Sequence, residues 1–230
     1  MNDITFQVGS DGNHGTAAWE GDYTTAITSQ YNKAVIMDEF AGLGRGWNDP
    51  DMLVIGMDGI DNIMCRSHMA MWCMMNSPLM LGLDLRRVIK GDEIYNILAN
   101  EDLIALDQDP LGIQAKRIFT TYECSEPDKE YIRDNNRIDI LAKPLNDGSI
   151  AIGFFNISQE EKTVVPPVSV DQIIGAIGKK AVEKNIFANA EKYLVKDLYT
   201  GEITETYSKV FEAGTLAACD SKVVRITPVS

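Results

Sequence analysis

Three short apolar segments each carry an acidic residue at one end, with helix-forming stretches between them, and this alternation constrains the first half of the 230-residue chain most strongly. Ile4 to Val8 alternates apolar and polar residues and stops at Gly9-Ser10-Asp11-Gly12-Asn13, so it reads as a strand whose end presents Asp11. Leu53-Val54-Ile55 demands burial and follows the polar run Gly46-Trp47-Asn48-Asp49-Pro50-Asp51-Met52. Leu79-Met80-Leu81-Gly82-Leu83 reads as a short buried strand closed by Asp84. A helix is expected from Trp19 to about Tyr31, weakened by its threonines. A longer one begins near Asn62, capped by Asp61, buries Ile63, Met64, Met71, Trp72 and Met75, and is stopped by Pro78. Glu93 to Asn100 forms a third, and Asp102 to Asp107 is helical or a turn. Strands that alternate with helices and end in acidic residues fit part of a (β/α)8 TIM barrel, whose chemistry collects at the carboxyl ends of its strands. A closed barrel takes about 250 residues, so residues 1–112 would supply only about its last three strand units. An open edge and an uncovered apolar helix face are the expected consequences.

After Ala115 the pattern changes to short alternating runs joined by turns. Lys116 to Tyr122, Ile138 to Pro144, Ser149 to Asn156, Thr163 to Val168, Lys192 to Asp197, Thr204 to Val210 and Lys222 to Pro228 are strand candidates, with turns such as Asn146-Asp147-Gly148. Val170 to Asn189 reads either as helix or as a long connection. The fold class expected is therefore α/β: a partial barrel over residues 1–112, then an all-β antiparallel sandwich over 113–230.

Charge and composition exclude several function classes. Asp and Glu total 34 against 21 Lys and Arg, a formal charge of -13 with no segregated basic cluster, which speaks against a nucleic acid partner. The most apolar region, Met69 to Leu85, is interrupted by Asn76, Pro78, Gly82 and Asp84, which speaks against a membrane span. The opening Met-Asn-Asp-Ile lacks the features of a secretory signal, so a cytoplasmic location is expected. Cys65, Cys73, Cys124 and Cys219 have no metal-like spacing and read as reduced thiols, and His14 and His68 form no ligand set. No metal or cofactor is expected.

The run Gly46 to Leu53 is the richest in chemistry. A planar indole can cover a pyranose ring, carboxylates and an amide can hold its hydroxyls, and Pro50 restricts how Asp49 and Asp51 turn. Asn48-Asp49-Pro50-Asp51 is equally a good turn, as is Ser10-Asp11-Gly12-Asn13, and these residues alone leave both readings open.

Taken with Met69-Ala70-Met71-Trp72-Cys73-Met74-Met75-Asn76-Ser77-Pro78-Leu79, Asp84-Leu85-Arg86 and Ala105-Leu106-Asp107-Gln108-Asp109-Pro110-Leu111-Gly112, this run resembles the carboxyl-terminal half of the alpha-galactosidases of glycoside hydrolase family 27. That family also holds alpha-N-acetylgalactosaminidases. The resemblance implies a barrel followed by an antiparallel β domain, and cleavage of terminal alpha-linked galactose with retention. It implies that Asp11 is the general acid/base, and that the nucleophile lies in a segment before this chain begins, leaving the chain inactive by itself. Asp51, with Met52 as an apolar wall and Trp47 nearby, would contact the sugar. The motif departs from the family at Phe6, where a tryptophan is common, and at Gln7, where an arginine usually holds the sugar near its 2-hydroxyl. Glutamine donates hydrogen bonds but has neither charge nor a rigid fork. The partners implied are an alpha-galactoside substrate and the missing amino-terminal half of the barrel, with a homo-oligomer left open. The alternatives are an alpha-N-acetylgalactosaminidase of the same fold and a noncatalytic carbohydrate-binding or structural remnant.

Overall fold

The structure, a computed structural model, describes residues 17–21 and 26–229. The expected first strand with Gln7, and the loop with Asp11 and His14, lie outside the described residues.

Helices α1 (Ile27–Ala34), α2 (Asn62–Met75), α3 (Glu93–Leu98) and α4 (Glu101–Asp107) form the first part of the chain, with a single 3-10 turn at Leu85–Arg87. Asp61 caps α2 by accepting from Met64 N at 2.8 Å. At its other end Asn76 adopts a left-handed conformation (φ 54°, ψ 37°), which closes the helix two residues ahead of Pro78. Trp19 itself lies outside the helix: α1 starts at Ile27, and residues 22–25 lie outside the described residues. Trp19 is instead a buried anchor whose indole donates to Ile157 O at 2.9 Å, while its own carbonyl accepts from Thr28 N at 3.0 Å.

The expected buried strand Leu79 to Leu83 is reduced to one parallel bridge, Leu53 with Leu81. Leu53 N donates to Met80 O at 2.7 Å and Gly82 N to Leu53 O at 2.8 Å. Met80 is 62% and Leu81 41% exposed, so burial was the wrong expectation. A parallel strand is buried by neighbours on both edges and by covering helices, and among the described residues Leu53 supplies one edge alone.

The second part is built on an antiparallel six-stranded sheet. Its strands are β1 (Lys116–Thr120), β2 (Ile138–Pro144), β3 (Ile150–Asn156), β5 (Lys192–Asp197), β6 (Ile203–Thr206) and β8 (Ser221–Val229), in the order β1-β2-β3-β8-β5-β6. Strands β4 (Val168–Ser169) and β7 (Val210–Phe211) pair separately. Neither sheet closes into a barrel. Val170 to Asn189 holds two short helices, α5 (Val170–Ile177) and α6 (Lys184–Asn189). A capping box between Ser169 and Gln172 starts α5, and Val170, Ile173 and Ile177 are buried along one side of it.

Both faces of the large sheet are covered. Ile138, Ile140 and Ala142 of β2, Ile152 and Phe154 of β3 and Ile226 of β8 pack with Ile173, Phe187 and Phe211. The alternate residues Leu141, Ala151, Phe155 and Val223 pack into one cluster with Tyr31, Met71 and Leu103 of the first part. Helix α2 is therefore buried from Ser67 to Met75, and the expected uncovered helix face is filled by the sheet.

Polar side chains on that shared face are buried with partners. Asp139 accepts from Arg137 Nε at 3.0 Å, Arg117 Nη1 at 3.3 Å and Tyr31 OH at 3.0 Å, and both ion pairs are fully buried. Burial alone would raise the Asp139 carboxyl, but Arg137 and Arg117 override it and hold it below the usual carboxylate range. Asp139→Ala, which strands two buried guanidinium groups, is expected to lower the unfolding free energy by about 3–5 kcal/mol in urea titrations at neutral pH. Because the folded pKa is depressed, this stabilisation is present above the unfolded carboxylate pKa and is lost as pH falls through the folded value. The difference between wild type and variant should shrink accordingly in acid. A neutral-pH loss near zero would show the network to be energetically idle.

Candidate functional site

The polar run begins where Gly42 and Gly46 form an isolated antiparallel bridge, with φ values of 138° and 111° open to glycine. Asn48 leaves the sugar-binding reading. Its amide donates to Met37 O and Gln114 Oε1, each at 2.8 Å, and Gln114 in turn donates to Ala34 O at 2.8 Å, so it ties the run to α1 and the interdomain segment. Asp49 also has a local task, accepting from Asp51 N at 2.9 Å.

Asp51 sits at φ 78°, a conformation that costs free energy for a residue with a Cβ. Three contacts hold it there. Asp51 N is bound by Asp49, Asp51 Oδ1 accepts from Met52 N at 2.6 Å, and Asp51 O accepts from the Trp72 indole at 2.8 Å. Three residues on, Val54 N donates to His68 Nε2 at 3.1 Å. His68 and Trp72 are one turn apart on α2, both buried, with ring centroids 4.1 Å apart in a T-shaped arrangement. Helix α2 thus grips the run from behind at Asp51 and Val54.

The front of the run stays partly open: Trp47 is 41% and Met52 39% exposed, and Asp51 is half-buried. Trp47 lies over the turn at Gly112, where an added Cβ would stand 3.1 Å from its ring. Met52 lies against Gly82, where a Cβ would meet Met52 Cβ at 3.4 Å and Leu53 O at 3.3 Å. Asp84 instead caps the 3-10 turn and forks with Arg86, whose hydrogen bond holds its carboxyl below the usual range. Asp109 caps its own turn at Leu111 N, 3.0 Å, and accepts from Asn146 N of the β part at 3.1 Å.

Two residues of α2 that the sequence did not assign to the site, Trp72 and His68, carry it. Trp72 was legible as buried but not as a donor. Nothing local to His68 pointed to its role as an acceptor, since its partner is a backbone amide fourteen residues away. Burial lowers the His68 pKa to about 3, so its ring stays neutral, with Nε2 free of a proton to receive the Val54 N–H.

Among the described residues the architecture is an incomplete α/β segment with a polar strand end, backed by an antiparallel β domain. Comparisons with known proteins agree. A family profile described as alpha galactosidase A matches residues 18–109, and one described as the alpha galactosidase C-terminal beta sandwich domain matches residues 135–226. The alpha-N-acetylgalactosaminidase of Gallus gallus is 32% identical over 168 residues, 73% of this chain and 34% of that protein. The alpha-galactosidase of Cyamopsis tetragonoloba is 30% identical over 172 residues, 75% of this chain and 37% of that protein. Alpha-galactosidase I of Mortierella vinacea shares the fold with a TM-score of 0.68 at 18% identity, over 98% of this chain and 51% of that one. The chain has the domain architecture of glycoside hydrolase family 27, the melibiase and alpha-galactosidase family, with a catalytic and a β-sandwich module. It spans about a third of the length of the curated relatives it matches.

His68 supplies a pH test of this grip. Because its folded pKa lies below the usual histidine value, the native state binds fewer protons than the unfolded one between pH 6.5 and about 3, and stability should fall as pH drops through that window. His68→Gln, which keeps an acceptor for Val54 but does not titrate, should flatten that part of the stability profile. An unchanged profile in thermal melts across the window would remove His68 from this role.

Proposed function

We propose that this chain is the carboxyl-terminal portion of a retaining glycoside hydrolase that releases terminal non-reducing alpha-linked galactose by double displacement. The observation that carries the proposal is the strand end at Trp47, Asp51 and Met52, kept partly open in front while His68 and Trp72 fix its backbone from behind. Strain held at one carboxylate by buried partners is what a preorganised ligand site requires. Asp51 accepts sugar hydroxyls, Met52 and Trp47 present apolar surface to the ring, and Gln7 addresses the 2-position.

Asp11 is the proposed general acid/base. It starts protonated, gives its proton to the leaving oxygen, and then draws one from water as the covalent glycosyl intermediate is hydrolysed. Retention needs a second carboxylate about 5–5.5 Å away as nucleophile, and that group is assigned to residues outside these 230, so the chain is expected to turn over no substrate by itself. The names of the relatives, galactosidases with a galactosaminidase among them, support this reaction class. The Gallus gallus relative also supports a second reading, alpha-N-acetylgalactosaminide hydrolysis at the same site. Relative kcat/KM on paired aryl galactoside and N-acetylgalactosaminide substrates separates the two.

In the complete enzyme Asp11→Asn should lower kcat/KM about 10²-fold or more on substrates with poor leaving groups, and much less in the first step on an activated aryl galactoside, with rescue by azide. Equal losses on both substrates without rescue would make Asp11 a structural residue. Gln7→Ala should cost roughly 0.5–3 kcal/mol in kcat/KM on galactosides, and much less on 2-deoxy substrates. Equal losses on the two would mean that Gln7 does not touch the 2-position.

A further inference from the structure

The β part contains a groove that the strand-end site does not use. It is lined by Ile186 and Asn189 of α6, Glu191, Lys192 at the start of β5, Tyr207 after β6 and Val229 at the end of β8, and encloses about 520 Å³. That volume falls within the roughly 300–1,000 Å³ of small-molecule clefts. Tyr207 is 75% and Ile186 48% exposed, so an aromatic face and an aliphatic wall are both offered to solvent.

The walls are braced. Lys209 Nζ, two residues beyond Tyr207, donates to Ala188 O at 3.0 Å and ties the loop after β6 to α6. Tyr193 OH donates to Phe187 O at 2.7 Å, and the Phe187, Tyr193 and Phe211 rings pack at centroid distances of 5.4 and 5.6 Å. Thr206 Oγ1 accepts from Ser208 N at 3.0 Å, fixing the backbone on either side of Tyr207. The polar groups are mixed in sign and in kind. Lys192 pairs with Glu205 at 3.3 Å, Glu191 adds an acceptor, and Asn189 gives one amide hydrogen to Asn185 O at 2.8 Å, leaving its carbonyl oxygen to offer.

We propose that this groove is a noncatalytic carbohydrate subsite, in which a pyranose ring of a neutral, galactose-bearing polysaccharide stacks on Tyr207 while Glu191, Lys192 and Asn189 take its hydroxyls. A sugar has an apolar face and a hydrogen-bonding rim, and the groove presents an aromatic ring beside donors and acceptors without a net field of one sign. The paired Lys192 and Glu205, on a chain of formal charge -13, disfavour an anionic occupant. The site deepens the glycosidase reading, on which it rests for the choice of galactose-bearing glycan: it would hold the polymer while the strand end takes a terminal sugar.

Affinity electrophoresis of the full chain through gels containing soluble galactomannan tests the groove without calling on catalysis. Wild type should be retarded. Tyr207→Ala should bind about three- to tenfold more weakly, as expected for the loss of one stacking contact. Tyr207→Trp should keep the retardation, with unchanged thermal melts showing that both Tyr207 variants fold. No retardation of wild type, or equal retardation of wild type and Tyr207→Ala, would overturn the proposal. Hydrolysis is not measured, so a failure of the glycosidase reading would appear in the kinetic assays and not in this gel.

Discussion

Helix α2 is the element on which the other parts depend, because it is buried along nearly its whole length and must find polar partners on every side. Towards the strand end it supplies the Trp72 indole to Asp51 and the His68 ring to Val54. Towards the sheet it supplies Ser67 to Ser221 at 2.8 Å and Arg66 to Asp220 at 2.8 Å, with the Arg66 guanidinium 4.9 Å from the Tyr199 ring centre. At its carboxyl end Met74 O accepts from Ala115 N at 2.9 Å, and Lys143 of β2 reaches across to Asn76 Oδ1 and Ile113 O. Each of these buried polar groups, left without its partner, would cost about 1–3 kcal/mol.

The sheet therefore does more than cap a core. Two of its polar residues, Asp139 and Lys143, sit on the helix-facing side of β2 with no exposure, among neighbours that would otherwise be apolar. Asp139 is matched by two guanidinium groups. Lys143 is matched by carbonyl oxygens at the negative end of the α2 dipole, an arrangement that favours its ammonium form even as burial draws its pKa down to about 7. Beside it, burial raises Asp107 to about 6. Such matched charges are specific in geometry, which fits a surface that must set one orientation between a helix and a sheet rather than merely hold them together.

Much of this was legible in the chain. The cap at Asp61, the periodic apolar side of α2 and the alternation after Ala115 are local signals, and they marked the elements well. What failed was non-local. Trp19 opens a stretch that reads as helix despite its threonines, yet its indole is claimed by Ile157 far along the chain. Leu79 to Leu83 has the composition of a buried strand, but burial depends on neighbours, and only Leu53 pairs with it among the described residues. At the site, the residue types of Trp47, Asp51 and Met52 pointed to a sugar, and the family resemblance gave them an order. Asn48 was drawn off into an internal tie, and His68 could not be read as an acceptor because its donor is a main-chain amide that no side-chain pattern reports.

The central claim is that the strand end and the sheet form one cooperative unit through α2. Native-state hydrogen exchange measures this at single amides. The Val54 amide, held by His68, should open with the same free energy as the Ile152 amide of the central strand β3, because both would exchange only through global unfolding. Exchange at Val54 about 10²-fold or more faster than at Ile152, a gap of roughly 2.7 kcal/mol, would show that the strand end opens by itself and would contradict the account.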